Sequence, residues 1–213
     1  MQHGQFVTFE GIDGSGKSTQ ARFAAEFAAR TLGENRVLWT REPGDWKGGK
    51  HIRELLLHGD LLHCHAELYL FLADRCEHVR QVIEPALDRG CLVLCERYCD
   101  STLAYQSWGR NISRTWIESL FSASGFPNPN LTLWIDVPVE KAWERLIARG
   151  SADRIESEAL TFLHSVREGY AALSKEYPQR VVRIDGTRTP HLVFTDVCAL
   201  LKKNLGESFG ISL

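Results

Sequence analysis

The sequence lacks several features that would assign it to a particular class of protein. No apolar run is long enough to span a bilayer, so we expect no membrane helix. Lysines and arginines number 25 against 27 acidic residues, which leaves a formal net charge of −2. Because this balance gives no broad cationic surface, a nucleic-acid-binding role is disfavoured. The six cysteines form no Cys-x-x-Cys pair, and we expect buried or surface thiols rather than a metal site.

The overall size and the first residues set further expectations. At 213 residues, of which 44% are hydrophobic, the chain is most simply one domain spanning residues 1–213. No repeat, low-complexity tract or linker divides it. The first residues lead directly into an apolar segment without the pattern of a signal peptide, so we expect a cytoplasmic protein.

The segment GIDGSGKS, at residues 11–18, has the G-x-x-x-x-G-K-S spacing of a nucleotide-binding P-loop. It follows an apolar run and precedes an alanine-rich helical pattern, which is the context that the motif requires. Its glycines let backbone N–H groups turn toward one anion, and the helix N-terminus adds about half a positive charge. Lys17 would reach the outer phosphates of a nucleotide, and the Ser18 hydroxyl would bind Mg²⁺. The residues that we expect to hold ATP are Gly11, Ile12, Asp13, Gly14, Ser15, Gly16, Lys17, Ser18 and Thr19.

Short runs rich in Val, Ile, Leu, Phe or Trp alternate with helical patterns along the chain. Their lack of polar alternation is typical of strands that are covered on both faces. We therefore expect an α/β fold with an open, five-stranded parallel sheet flanked by helices. The predicted strands are residues 6–9, 37–40, 91–95, 131–137 and 181–184. The predicted helices are residues 19–32, 50–58, 65–89 with a kink or restart at Pro85, 139–149, 158–175 and 190–205.

Residues that follow the strands form a predicted site, because ligands bind beyond the carboxyl ends of strands in such sheets. Arg41 and Arg97 follow two strands and are suited to gripping a second phosphate group, although each alone could be a surface ion pair. Asp13 would repel the phosphates of the P-loop nucleotide and fits better against hydroxyl groups of an acceptor. Glu96 and Asp136 could bind Mg²⁺ directly or through water, or could instead cap a helix or pair with an arginine.

Two further segments have both a functional and a structural interpretation. Phe71 and Arg75 share one helix face, where a ring and a guanidinium could stack on and hydrogen-bond a nucleobase. Alternatively, Phe71 belongs to the core and Arg75 extends to solvent. The basic segment 149–157 could be a mobile lid whose Arg149 and Arg154 neutralise charge on a phosphoryl group in transfer, or a solvated connection between helices.

Taken in order, these motifs resemble those of the bacterial thymidylate kinases, a family of nucleoside-monophosphate kinases with a P-loop. The resemblance extends from residue 6 to about residue 185. It rests on the segments EGIDGSGKST, TREPG, ERY, STLAYQ and DRIE, together with Phe71 and Arg75. It implies a three-layer P-loop kinase fold, ATP as phosphate donor with Mg²⁺, and dTMP as acceptor. It also implies a homodimer that phosphorylates dTMP to dTDP in the synthesis of dTTP.

The resemblance also implies roles for individual residues around the acceptor. Asp13 would contact the 3′-hydroxyl of the sugar. Arg41 and Arg97 would clamp the acceptor phosphate. Phe71 would stack on thymine, and Arg75 would donate to its carbonyl edge.

Further roles follow from the same resemblance. Thr102 and Gln106 fall where the family reads the base, and Tyr105 falls where its ring crowds the 2′ position and favours deoxyribose. Arg149 and Arg154 match the lid arginines of the bacterial type. The residues that we expect to act in catalysis are Asp13, Lys17, Arg97, Arg149 and Arg154.

The chain departs from the family pattern at three places, one of which is the segment with Cys99 and Trp108, where many relatives have smaller or more polar residues. The loop after Gly44 reads DWKGG, where the family usually has a second glycine and a threonine, and the third strand ends in Glu96 rather than the commoner aspartate. A P-loop kinase acting on another nucleotide or a nucleoside is one alternative, and a P-loop NTPase switch is another. A nucleoside kinase would not need two arginines for an acceptor phosphate. A guanine-specific switch should carry an N-K-x-D segment, which the sequence does not contain.

Overall fold

The structure is a computed structural model that describes residues 4–61, 63–148 and 157–209. Within these ranges, five parallel strands form one sheet in the order β2-β3-β1-β4-β5. Each predicted strand is confirmed to within one residue at either end. The strands are β1 Gln5–Glu10, β2 Val37–Arg41, β3 Leu92–Glu96, β4 Leu131–Asp136 and β5 Val181–Asp185.

The sheet order places the P-loop at the point where the chain changes direction across the sheet. The three central strands β3, β1 and β4 are buried along almost their whole length, whereas the edge strands β2 and β5 are partly exposed. From β1 the chain passes to β2 and β3 on one side and later to β4 and β5 on the other. A crevice forms where the strand order reverses, and the loop that follows β1 lies at this crevice.

Helices flank the sheet on both faces. They are α1 Lys17–Leu32, α2 Gly49–His58, α3 Cys64–His78, α4 Glu84–Asp88, α5 Cys99–Thr102, α6 Arg114–Ser124, α7 Val139–Ile147, α8 Ser157–Glu176 and α9 Pro190–Phe209. A π-helical segment, Val79–Ile83, joins α3 to α4, and Pro85 lies in the first turn of α4, so the predicted restart is confirmed. None of the helices in the described ranges is both long and apolar enough to cross a bilayer.

The helix prediction is incomplete in one region. The sequence analysis predicts no helix between residues 99 and 124. The structure has α5 there, a second π-helical segment at Leu103–Gly109, and α6. This region forms one wall of the site described below.

Alternating side chains of the strands build separate cores on the two faces of the sheet. On one face, Val7 and Phe9 of β1 pack with Ala21, Ala24 and Ala28 of α1. The small alanine side chains let α1 approach the sheet closely. On the other face, Phe6 of β1 packs in a cluster with the residues around α4. This alternation explains why the strands read as continuous apolar runs.

Candidate active site

The P-loop connects β1 to α1 in a conformation that requires glycine. Gly11, Gly14 and Gly16 have φ values of 141°, 81° and 94°. A Cβ atom on Gly14 would lie 2.2 Å from the carbonyl oxygen of Ala142. Gly16 caps α1 and has no side chain to accept from the first N–H groups of the helix, so these donors are left for an anion.

Asp13 lies between the two cations that are predicted to act on phosphate groups. Its Oδ1 is 3.3 Å from Lys17 Nζ and 2.8 Å from Arg97 Nη2. Although desolvation opposes ionisation of Asp13, the charges of Arg97 and Lys17 hold its pKa below the ordinary value. Burial and the nearby Arg97 lower the pKa of Lys17. Asp13 therefore links the P-loop electrostatically to the arginine that follows β3.

Arg97 is held in a defined orientation by its backbone and by its side-chain partners. Its φ of 63° is in the left-handed region, which disfavours a residue with a Cβ atom. Its N–H donates to the carbonyl of Phe9 at 3.1 Å. Nη1 donates to Ser101 Oγ at 3.1 Å, and Nη2 donates to Tyr105 Oη at 3.0 Å. The guanidinium also lies over the Tyr105 ring, 4.7 Å from its centroid.

A cavity of about 220 Å³, called the first cavity below, opens beside the P-loop. Seven of the eight residues that the sequence analysis assigns to the acceptor line it. The complete lining is Asp13, Glu42, Pro43, Arg53, Leu57, Phe71, Arg75, Arg97, Ser101, Thr102, Tyr105 and Gln106. The topology thus brings together residues from five segments that are far apart in the sequence.

Arg75 is a fully buried cation in the wall of the first cavity. It is 1% exposed, so the alternative in which it extends to solvent is wrong. Its Nε donates to Glu42 Oε2 at 2.7 Å, and its guanidinium lies over the rings of Tyr98, Phe121 and Phe126. Among the described residues, its Nη1 has no hydrogen-bond partner. A buried donor without a partner is costly, so this group is suited to a ligand oxygen.

The amide of Gln106 is also oriented by its neighbours. Its Nε2 donates to Glu67 Oε1 at 2.7 Å, and Arg110 Nη2 donates to Glu67 Oε2 at 3.0 Å. Thr102 is buried beside it, and Phe71 is half-buried. Together these side chains form an ordered polar and aromatic surface in the first cavity.

The eighth predicted acceptor residue, Arg41, does not line the first cavity. It ends the edge strand β2 with an exposed side chain, and its Nε donates to Asp45 at 3.1 Å. The cavity is lined instead by Arg53, and Arg41 lies close enough to Arg53 for the two charges to interact. Arg53 comes from α2 and donates to the carbonyl of Pro43 at 2.6 Å. The strand-end rule did not find Arg53 because it lies within a helix.

The three predicted metal-binding residues have different surroundings. Ser18 is exposed in the first turn of α1. Glu96 ends β3 and accepts from Trp39 Nε1 at 3.2 Å. Both oxygens of Asp136 accept from Arg167, at 2.7 and 3.1 Å, and Arg183 also donates to Oδ2. The pairing alternative therefore accounts for the Asp136 carboxylate without a metal ion.

A second cavity, of about 310 Å³, lies on the other side of the P-loop. Its lining includes residues of the P-loop, α7 and the segment between β5 and α9. Arg145 spans these elements, since its Nη1 donates to the carbonyls of Gly14 and Ser15 at 3.3 Å each and its Nη2 donates to Gly186 at 3.0 Å. Arg145 lies within α7 and follows no strand, so the strand-end pattern does not predict it.

A buried carboxyl group lies directly behind the first cavity. Glu10, at the end of β1, accepts from the N–H of Tyr98 at 2.8 Å and from the hydroxyls of Ser101 and Tyr170 at 2.5 and 3.0 Å. Burial, assisted by the nearby Asp100, raises its pKa to about 7. Ser101 donates to Glu10 and also accepts from Arg97, so Glu10 helps to hold that arginine in place through Ser101.

The predicted lid, residues 149–157 with Arg149 and Arg154, lies outside the described residues except for Ser157, which begins α8. Possible ligand atoms of His63, Cys64 and His65 lie within 4.8 Å of one another. His63 caps α3 and its Nδ1 accepts from the N–H of His65, so helix capping accounts for part of this closeness.

The comparison with known proteins decides the family. Residues 9–197 match the family model described as thymidylate kinase. The chain belongs to the thymidylate kinase family. A thymidylate kinase of Kosmotoga olearia is 45% identical over 208 residues, which cover 95% of this chain and 99% of the relative. A thymidylate kinase of Desulfovibrio desulfuricans is 46% identical over 195 residues, which cover 87% and 89%.

A solved structure supports the same assignment at the level of the fold. The crystal structure of thymidylate kinase from Ehrlichia chaffeensis matches this chain with a TM-score of 0.80 and 32% sequence identity. The match covers 93% of this chain and 99% of that chain. The three-layer P-loop kinase fold is therefore confirmed, and membership of the thymidylate kinase family identifies the protein as a phosphotransferase.

Proposed function

We propose that the protein transfers the γ-phosphoryl group of ATP to dTMP, giving dTDP and ADP, as a step in the synthesis of dTTP. The first cavity is the observation that carries this proposal. It combines Phe71 and the unpartnered donor of Arg75 with the guanidinium groups of Arg53 and Arg97. An aromatic ring beside a buried donor suits a base with a carbonyl edge, and two guanidiniums suit a monophosphate.

The geometry around Arg75 favours a thymine or uracil base over cytosine. A guanidinium can only donate hydrogen bonds, so Nη1 matches a carbonyl oxygen and opposes an amino group. Glu42 and three aromatic rings hold the guanidinium in place, so it cannot readily turn away. A site built around a buried polar group discriminates strongly against a base that leaves the group unpaired.

The sugar of the acceptor would lie near Asp13 and Tyr105. The Asp13 carboxylate lines the first cavity and can accept a hydrogen bond from the 3′-hydroxyl. The Tyr105 ring is held by Arg97, with its hydroxyl 3.0 Å from Nη2. A fixed ring at this position would crowd a 2′-hydroxyl and favour deoxyribose.

The donor nucleotide would occupy the P-loop and the second cavity. The N–H groups of the loop and the Lys17 ammonium would hold the outer phosphates, and the second cavity beside Arg145 would take the base. Transfer needs no covalent enzyme intermediate. Lys17 and Arg97 would stabilise the charge on the equatorial oxygens of the phosphoryl group as it passes to the acceptor.

Ser18 and Glu96 are the residues that would hold Mg²⁺. Both offer oxygen atoms, which this ion prefers, and they lie at the ends of neighbouring elements on the P-loop side of the sheet. Glu96 and Lys17 are also close enough to interact electrostatically. Bound Mg²⁺ would neutralise charge on the donor phosphates.

In the same proposal the chain forms one P-loop kinase domain with a mobile lid at residues 149–157. Closure of the lid would bring Arg149 and Arg154 to the transferring phosphoryl group and exclude water. The protein would act in the cytoplasm as a homodimer. Exposed apolar side chains on α2 and α3, such as Leu55 and Tyr69, support an interface on that side of the sheet. Light scattering of the purified protein tests the dimer.

A coupled assay of ADP release tests the function. The full chain is given ATP, Mg²⁺ and each of a panel of nucleoside monophosphates. We expect dTMP to be the best acceptor. For dCMP, kcat/KM should be at least about 10²-fold lower than for dTMP, because the Arg75 Nη1 donor would face the amino group of cytosine. Faster turnover with another monophosphate, or no turnover with dTMP, would contradict the proposal.

A further inference from the structure

The segment in which this chain departs from the family pattern is folded around Trp46. The carbonyl of Trp46 accepts from the N–H of Gly49 at 3.0 Å. A Cβ atom on Gly49 would lie 2.7 Å from Trp46 Nε1, and one on Gly48 would lie 3.1 Å from its ring carbon Cζ3. The two glycines therefore make room for the indole, and the sequence DWKGG forms a packed turn.

The indole N–H is directed at a buried carboxylate on α3. Trp46 Nε1 donates to Asp74 Oδ1 at 2.7 Å, and the N–H of Gly44 donates to Oδ2 at 3.1 Å. Asp74 is fully buried. Burial raises the pKa of Asp74, and the bond from Trp46 opposes that rise. Removing the indole donor would leave a buried carboxylate oxygen unpaired, which is unfavourable.

This contact joins two walls of the first cavity. On one wall, Arg53 donates to the carbonyl of Pro43, and a Cβ on Gly44 would lie 2.9 Å from Arg53 Cβ. On the other wall, α3 contributes Arg75, which directly follows Asp74 in the sequence. The indole bond thus connects the segment that packs against Arg53 with the helix that carries Arg75.

We infer that Trp46 is a positioning residue for the acceptor nucleotide. It does not line the first cavity itself. Its bond to Asp74 fixes the separation between Arg53, which holds the phosphate, and Arg75, which holds the base. The inference rests on the proposed function, because it assumes that one nucleotide spans both residues.

The substitution Trp46→Phe tests this role, since it keeps an aromatic ring and removes the N–H. We expect KM for dTMP to rise about tenfold while kcat and KM for ATP stay within about twofold, as for one lost hydrogen bond to a charged group. In an Asp74→Ala background, which offers the indole no acceptor, Trp46→Phe should add little to the effect on KM. Trp116→Phe, a matched change at a tryptophan on α6, should leave both KM values unchanged.

Limited trypsin digestion gives a second readout that does not depend on activity. Cleavage after Lys47, identified by mass spectrometry, should be about tenfold faster in Trp46→Phe, because proteolysis under native conditions follows local opening. The role of Trp46 would be overturned if the wild type is active but Trp46→Phe leaves KM for dTMP unchanged. It would also be overturned if the substitution raises KM for dTMP and KM for ATP equally. A wild type that does not phosphorylate dTMP would overturn the proposed function instead.

Discussion

The substitution Glu10→Gln should change how the stability of the protein depends on pH. Glu10 is fully buried beneath the first cavity and accepts hydrogen bonds from Tyr98, Ser101 and Tyr170. Burial raises its pKa from 4.5 to about 7 in the folded protein. Glutamine has a similar shape and does not ionise, so the variant isolates the cost of the charge.

The sign and size of the effect follow from proton linkage. Between about pH 4.5 and 7, Glu10 ionises in the unfolded chain while it stays protonated in the folded protein. Unfolding therefore releases a proton, and the free energy of unfolding falls as the pH rises through this window. Across this whole window the free energy of unfolding falls by about 3 kcal/mol, at about 1.4 kcal/mol for each pH unit. About 2 kcal/mol of this decrease in the free energy of unfolding occurs above pH 5.5.

Urea denaturation followed by circular dichroism at pH 5.5 and 8.5 measures this loss. The free energy of unfolding of Glu10→Gln, relative to the wild type, should rise by about 2 kcal/mol between the two pH values. Glu77→Gln, at an exposed position on α3, is the matched control and should show no comparable change. A difference between Glu10→Gln and wild type that is the same at both pH values would refute the reasoning.

Three further predictions concern activity. Lys17→Ala should lower kcat by about 10² or more because a charge contact of the transition state is lost, and near-native turnover in steady-state kinetics would contradict that role. Tyr105→Ala should improve activity on ribo-TMP relative to dTMP, and an unchanged ratio of kcat/KM would reject the contact with the 2′ position. Arg53→Ala should raise KM for dTMP by about tenfold or more and Arg41→Ala by less than about twofold, because only Arg53 lines the first cavity. Equal effects of the two substitutions would show that the cavity is assigned to the wrong arginine.

The strands and the P-loop could be predicted because local sequence determines them. Buried strands read as continuous apolar runs, and the loop glycines are needed for positive φ values. Helix α6 was missed although two local signals were present. Ser113 caps its first turn by accepting from the N–H of Trp116, and Gly125 ends it with a φ of 66°. Both signals cover only a few residues. The π-helical segment Leu103–Gly109, which precedes α6, does not follow the regular 3.6-residue period by which a longer helix is predicted.

Site residues that directly follow a strand could be predicted from the sequence. Residues whose position depends on how the helices pack could not. Arg97 directly follows β3, so its place at the crevice follows from topology. Arg53 reaches the cavity from a helix, and its role depends on how α2 packs. Arg41 has the expected sequence position, but its edge strand directs the side chain to Asp45. The pairing of Asp136 with Arg167 also depends on a long-range contact that spacing does not reveal.

A crystal structure of the full chain with bound dTMP tests the central claim most directly. The claim is that Arg75 reads the carbonyl edge of the base in the cavity where Arg53 and Arg97 hold the phosphate. The account predicts Arg75 Nη1 within about 3 Å of a thymine carbonyl oxygen, with Phe71 stacked on the ring and both arginines at the phosphate. A structure with the base bound elsewhere, and with Arg75 Nη1 making no contact to it, would contradict the account.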